Sequence, residues 1–351
     1  MATMATYKNR SAFVKSPWQF EIREHEISGP GPGQLLVEIA ACAVCGTDFH
    51  TADRTANDWQ NFGHEVSGTV HAVGEGVTEF KPGDRVAMDS SVPCGKCEFC
   101  KPAPFGRGRP DLCVSCLTYW ASETMGFGDW LLTPQESAVK VPDSVPLDVA
   151  SMIEPMGVSI DLVETAQINK GDHVLVIGPG PLGLGAVCLS KLAGAGKIML
   201  AGFSTSVARM KAGAALGAEE LIEVDKTPLK DYDFGARRPD KILVTAPPPL
   251  LPQAIAIAAN GATIAYIGIA YGPGAVIEFD ADDFHFRKLQ LRASFASPGT
   301  QALKAARLLE TVPELGKELI SHRFKLEDIA EVFKMARDDK ECTVNKVVMV
   351  R

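Results

Sequence analysis

No run of this 351-residue chain is long and apolar enough to read as a membrane span. The most apolar stretch, His173 to Leu200, is interrupted by Lys191 and by many glycines. The opening Met-Ala-Thr-Met-Ala-Thr-Tyr-Lys lacks the apolar core of a secretory leader. Positive charge is not in excess: 35 Lys and Arg face 43 Asp and Glu, and the net charge of −8 argues against a nucleic acid or anionic membrane partner. A disulfide framework is also missing. The nine cysteines are odd in number, and four crowd into Cys94 to Cys113. Without a leader, that crowding points to thiolate metal ligands in a reducing compartment, and a cytoplasmic protein is expected. The last absence is local: no Asp or Glu occurs between Asp172 and Glu219.

The chain is long for one core, so two domains are expected. Up to about residue 157, short strand-like runs such as Gln34-Leu-Leu-Val-Glu-Ile-Ala40 alternate with glycine-rich turns, the texture of a compact β unit. Beyond it, strands and helices alternate at 174–177, 186–193, 198–201, 207–217, 241–245, 251–258 and 262–268, the pattern of a doubly wound parallel sheet. One more strand follows near Leu289 to Ala293, and a helix at 299–310 and a closing strand at Val344 to Val350 then return to the first domain. The fold class is therefore α/β.

Val174-Leu-Val-Ile177 runs straight into Gly178-Pro-Gly180-Pro181-Leu182-Gly183, and a helix follows. Strand, G-x-G-x-x-G and helix together form a dinucleotide-binding turn. Gly178 bends the chain, Gly180 lets backbone approach a pyrophosphate, and Gly183 lets helix and strand pack closely. The helix that opens at Pro181 and Leu182 offers its unpaired N–H groups to that phosphate. A free ribose diol is usually held by an acid about 20 residues further on. Here Gly202 is followed by Ser204, Thr205, Ser206, Arg209 and Lys211, hydroxyls and cations that suit a 2′-phosphate. NADP(H) is expected, with NAD(H) the alternative.

Cys94, Cys97 and Cys100 stand at two-residue gaps, so their thiolates can face one ion from a tight backbone knuckle. Cys113 is the expected fourth ligand, and Cys116, in its own C-x-x-C with Cys113, is the competitor. Four thiolates close a tetrahedral shell, so a zinc ion held there is structural. Cys45, His64, Glu65 and Glu154 offer a thiolate, an imidazole and two carboxylates, the mixed set of a catalytic zinc with an open position.

In Cys45-Gly-Thr47-Asp-Phe-His50, Gly63-His-Glu65, the knuckle from Cys94, Glu154-Pro155 and the turn at Gly178, the chain resembles the zinc-dependent medium-chain dehydrogenases/reductases. The sorbitol (polyol) and threonine dehydrogenase branch is nearest, and the likeness covers essentially the whole chain. It implies a GroES-like β-rich catalytic domain at 1–156 and 293–351, interrupted by a Rossmann dinucleotide-binding domain at 157–292, with catalysis in the cleft between them. It implies that Cys45 and His64 ligate the catalytic zinc, with Glu65 or Glu154 as third ligand. Thr47 then takes the alcohol's proton and His50 passes it to solvent. The implied reaction is hydride transfer between NAD(P) and a secondary alcohol or ketone of a polyol, sugar, cyclitol or sugar acid. Simple alcohols and aldehydes are the alternative substrates, and an idle NADP-binding member is the alternative of another class. Trp59, Tyr119, Trp120 and Phe295 are candidate walls for this small hydroxylated substrate. The family's habit implies a homo-dimer or homo-tetramer.

Overall fold

The computed structural model describes residues 5–120, 122–339 and 343–351. The chain divides into two compact units. Of the described residues, one unit holds those within 5–157, 296–339 and 346–351, and the other holds 158–295 and 343–345.

The first unit is built on a seven-stranded sheet. Its centre is Gln34–Ala43, where Leu35, Leu36, Val37, Ile39 and Ala41 are all buried, as a strand covered on both faces requires. Glu65–Val73 lies antiparallel on one side of it and Lys346–Val350 antiparallel on the other. Arg85–Met88 and Ala138–Lys140 extend the sheet one way, and Ile320–Phe324 the other. A separate three-stranded sheet pairs Thr6–Lys15 with Gln19–Ser28 and Gln60–Asn61. The helix Ile329–Asp338 presses Phe333, fully buried, among Phe20, Phe49 and Phe62 at ring separations of 5.0, 5.2 and 5.6 Å. Such aromatic pairs add about 0.5–1.5 kcal/mol each beyond their area, which ties the late-returning chain to the N-terminal strands.

The second unit is a six-stranded sheet in which every pairing is parallel. Its order is Glu220–Glu223, Lys197–Gly202, His173–Ile177, Lys241–Val244, Thr263–Tyr266, Gln290–Ala293. This is the expected doubly wound pattern, 3-2-1-4-5-6. Val174, Leu175 and Val176 at its centre are wholly buried. The edge strand Glu220–Glu223 was not anticipated: glutamates at both ends and an exposed Leu221 hide its pattern. Among the described residues no helix is long and apolar enough to cross a membrane.

Candidate functional site

Sheet register assembles the mixed-ligand site. Cys45 lies two residues beyond the end of the central strand, and Ala43 pairs with Glu65 on one side. On the other side Val348 pairs with Ala43, and the Val44 N–H donates to the Val347 carbonyl at 2.9 Å. Lys346 therefore reaches the level of Cys45. Ligand atoms of Cys45, His64 and Glu65 lie within 4.8 Å of one another. Two of these buried atoms, His64 Nδ1 and Glu65 Oε2, have no hydrogen-bond partner. Buried polar atoms are normally paired, so an unpartnered carboxylate oxygen beside an imidazole and a thiol forms a mixed donor set, and the residues fit zinc. Asp48 Oδ1 stands 3.8 Å from His64 Nδ1, beyond hydrogen-bonding reach.

Burial and mutual charge act on the side chains around this site. Burial, with the charges of Glu65 and Asp48 adding to it, pushes the Cys45 thiol up to about 12. Burial likewise pushes Glu154 up to about 8 and Asp89 up to about 6. The one buried ammonium among these groups is Lys346, whose Nζ donates to Glu65 Oε1 at 2.6 Å. Burial works against the Lys346 charge, but Glu65, Cys45 and Glu154 outweigh it and its pKa is raised. Lys346 escaped the sequence reading because it opens an ordinary apolar strand, 281 residues from its partner.

Thr47 and His50 sit on the short helix Gly46–His50. The Cys45 thiol donates toward Thr47 Oγ1 at 3.7 Å, and the Cys45 N–H donates to Asp48 Oδ2 at 2.8 Å, which pins this corner. Glu154 occupies the first turn of the helix Ile153–Ala166; it feels His64, Glu65 and Cys45 but stays outside the group of three that face one point. Trp120 stacks on the His64 ring at 4.6 Å and is 39% exposed, so it forms a wall beside the site. Two other candidate walls are corrected. Tyr119 is buried and its hydroxyl donates to the His64 carbonyl at 2.6 Å, which fixes the backbone of His64. Trp59 faces a different cavity, with Trp18 and Arg337. Phe295 is 69% exposed, at the end of the second unit.

In the knuckle, Cys94, Cys97, Cys100 and Cys113 bring their sulfurs within 4.8 Å of one another. Cys97 Sγ lies 3.5 Å from Cys100 Sγ and 3.7 Å from Cys113 Sγ. Backbone N–H groups, that of Cys100 foremost, lower the Cys97 thiol to about 6 and favour its thiolate. The Cys116 thiol turns away and donates to the Cys113 carbonyl at 3.3 Å. The choice left open by spacing thus falls on Cys113.

In the second unit Gly178 takes φ +109°, and Gly180 caps the helix that begins at Pro181 and Leu182. A Cβ on Gly183 would stand 1.9 Å from the Gly178 carbonyl oxygen, while one on Gly180 would meet nothing within 4 Å. The turn is packed shut beneath and open above, where a pyrophosphate would lie. Ser204, Thr205 and Ser206 follow the strand end, with Ser206 buried at the start of the helix Val207–Leu216. Arg209 does not point at free space: its Nε and Nη2 donate to the Val344 carbonyl at 3.0 and 2.6 Å.

Residues 31–143 match the family model of the alcohol dehydrogenase GroES-like domain, and residues 181–311 match that of the zinc-binding dehydrogenases. A sorbitol dehydrogenase from Gallus gallus is 30% identical over 348 residues, covering 95% of this chain and 94% of its own length. An L-threonine 3-dehydrogenase from Mesorhizobium japonicum is 29% identical, with 95% and 94% covered. A crystal structure described as a short chain alcohol dehydrogenase from E. coli CFT073 in complex with NADH superposes with a TM-score of 0.87 at 27% identity, covering 98% of this chain and 99% of that one. The chain belongs to the zinc-dependent medium-chain dehydrogenases of the alcohol dehydrogenase superfamily, and it is an oxidoreductase.

Proposed function

We propose that this oxidoreductase carries out reversible hydride transfer between a nicotinamide dinucleotide and the secondary carbinol of a polyol, sugar, cyclitol or sugar acid. The observation that carries the reading is the convergence of ligand atoms of Cys45, His64 and Glu65 within 4.8 Å of one another, with Glu65 Oε2 buried and unpartnered. These residues would hold the zinc, which when bound supplies a Lewis acid that polarises a carbonyl or acidifies a hydroxyl. Everything else falls to the chain's own groups. Thr47, beside Cys45, receives the carbinol proton, and His50 on the same short helix relays it outward. The Trp120 indole covers the His64 ring and keeps water from that side. Lys346 neutralises half of Glu65, leaving the other carboxylate oxygen for the cation. The open space above Gly180 receives the dinucleotide backbone.

The substrate class is supported by the related sequences, whose names refer to sorbitol and to threonine, both small hydroxylated molecules. A homo-dimer or homo-tetramer in the cytoplasm completes the reading, and light scattering tests its assembly state. The direct test is the absorbance of reduced nucleotide, with NAD⁺ and NADP⁺ offered separately against polyols, cyclitols, sugar acids and simple alcohols. Turnover is expected with a polyol-type substrate; turnover with simple alcohols alone would overturn the substrate class. Cys45→Ser is expected to abolish turnover and to leave dinucleotide binding intact, as measured by nucleotide fluorescence. Near-wild-type activity in that variant would remove Cys45 from the metal site.

A further inference from the structure

The strand end that faces the nucleotide ribose in such a fold carries no acid, and packing explains why. A Cβ on Gly202 would stand 2.7 Å from Pro179 Cγ and 2.9 Å from the Met210 sulfur, so a carboxylate at this position would displace the dinucleotide turn. The neighbouring edge strand brings one instead. Gly202 pairs with Glu223, and the Val224 N–H donates to the Gly202 carbonyl at 3.0 Å, holding the chain that leaves this strand against the loop. Asp225 follows immediately. Its Oδ1 accepts the Ser204 N–H at 2.6 Å and its Oδ2 accepts the Ser204 hydroxyl at 2.5 Å.

We propose that Asp225 sets the nucleotide preference of this site, accepting from the ribose hydroxyls of NAD(H) and opposing the 2′-phosphate of NADP(H). The inference rests on the dinucleotide-binding reading given above. A carboxylate offers about four lone-pair positions, and Ser204 occupies two, so acceptor capacity remains for a ribose diol. A 2′-phosphate meets two obstacles. It brings a charge of about −2 close to an ionised carboxylate. It also finds both Ser204 donors already engaged, while Arg209 is held on the Val344 carbonyl. The hydrogen bonds from Ser204 keep the Asp225 carboxyl below its ordinary pKa, so the negative charge persists throughout the neutral range. Thr205, Ser206 and Lys211 still favour a phosphate. The ratio of the two affinities is then decided by one residue that lies outside the segment where such an acid is normally sought.

The test uses the full-length protein without substrate. NADH and NADPH are titrated separately by fluorescence into wild type, Asp225→Asn and Asp225→Ala, with melting curves recorded for each. Both variants are expected to raise the NADPH:NADH affinity ratio by about tenfold, and the shift in Asp225→Asn is expected to shrink at high salt. Asparagine keeps the shape and the acceptor while removing the charge, which guards against a fold defect in the alanine variant. An unchanged ratio in both variants, with tight binding retained, would overturn the role of Asp225 and leave the dinucleotide site standing. Wild type that binds neither nucleotide would overturn the dinucleotide reading and this inference with it.

Discussion

The two candidate metal centres of the first unit are built in opposite ways. The knuckle takes all four thiols from Cys94 to Cys113, and three of them follow one another at two-residue gaps. The site at Cys45 takes its ligands from the ends of two neighbouring strands and its charge partner from a third, 281 residues away. A local turn can present four sulfurs whatever the rest of the chain does. The mixed site exists only when the sheet has formed in the right register, because a one-residue slip would send each side chain to the opposite face. One design is tolerant and closed; the other is demanding and leaves room for a reactant.

Lys346→Met is the hardest blow to the demanding site. It leaves Glu65 buried and uncompensated, and metal-free protein is expected to lose about 3–5 kcal/mol in urea unfolding. Added zinc is expected to restore part of this by binding only the folded state. A loss below about 1 kcal/mol would show that the sheet does not depend on the pair.

A smaller effect is expected from Asp89, which burial raises from 3.8 to about 6. Its folded pKa lies above the unfolded one, so the folded state holds the extra proton between these values. Stability of metal-free protein is then expected to fall as pH rises from about 4 to about 6, by on the order of 2–3 kcal/mol, and to level off above. Asp89→Asn is expected to flatten that part of the profile relative to wild type. An identical pH slope in the two proteins would exclude Asp89 as its source.

The smallest effect belongs to Cys116, the thiol that turns away from the knuckle. Cys116→Ser is expected to change stability by no more than about 0.5 kcal/mol and to leave bound zinc unchanged. Cys113→Ser is expected to lose one equivalent of zinc while the Cys45 site still takes up cobalt with its thiolate absorption. Loss of zinc in the Cys116 variant instead would reverse the choice between the two cysteines.

Much of the fold was legible because its signals are local. The run Val174 to Ile177, the glycine spacing after it and the strand–helix alternation all lie within a few turns of chain, and the parallel sheet follows them. The strand Glu220–Glu223 was not legible, since an exposed edge strand needs little apolar patterning. Tyr119 and Trp120 are adjacent in sequence and were read as one wall. In the turn that follows the strand Leu117–Thr118, one ring enters the core with its hydroxyl on the His64 carbonyl, and the other stacks on the imidazole.

What the sequence by itself determined was the chemistry on offer: clustered thiols, a mixed ligand set, a dinucleotide turn and two units to hold them. Tertiary structure alone decided which groups meet. It paired Lys346 with Glu65, turned Cys116 out of the knuckle, tied Arg209 to the Val344 carbonyl, and set Asp225 against Ser204 beside a strand end that has no acid of its own. The physical reason is common to all four. Spacing along the chain governs only neighbours within a turn or two, whereas strand register and close packing, as at Gly202 against Pro179, fix contacts between residues far apart in sequence.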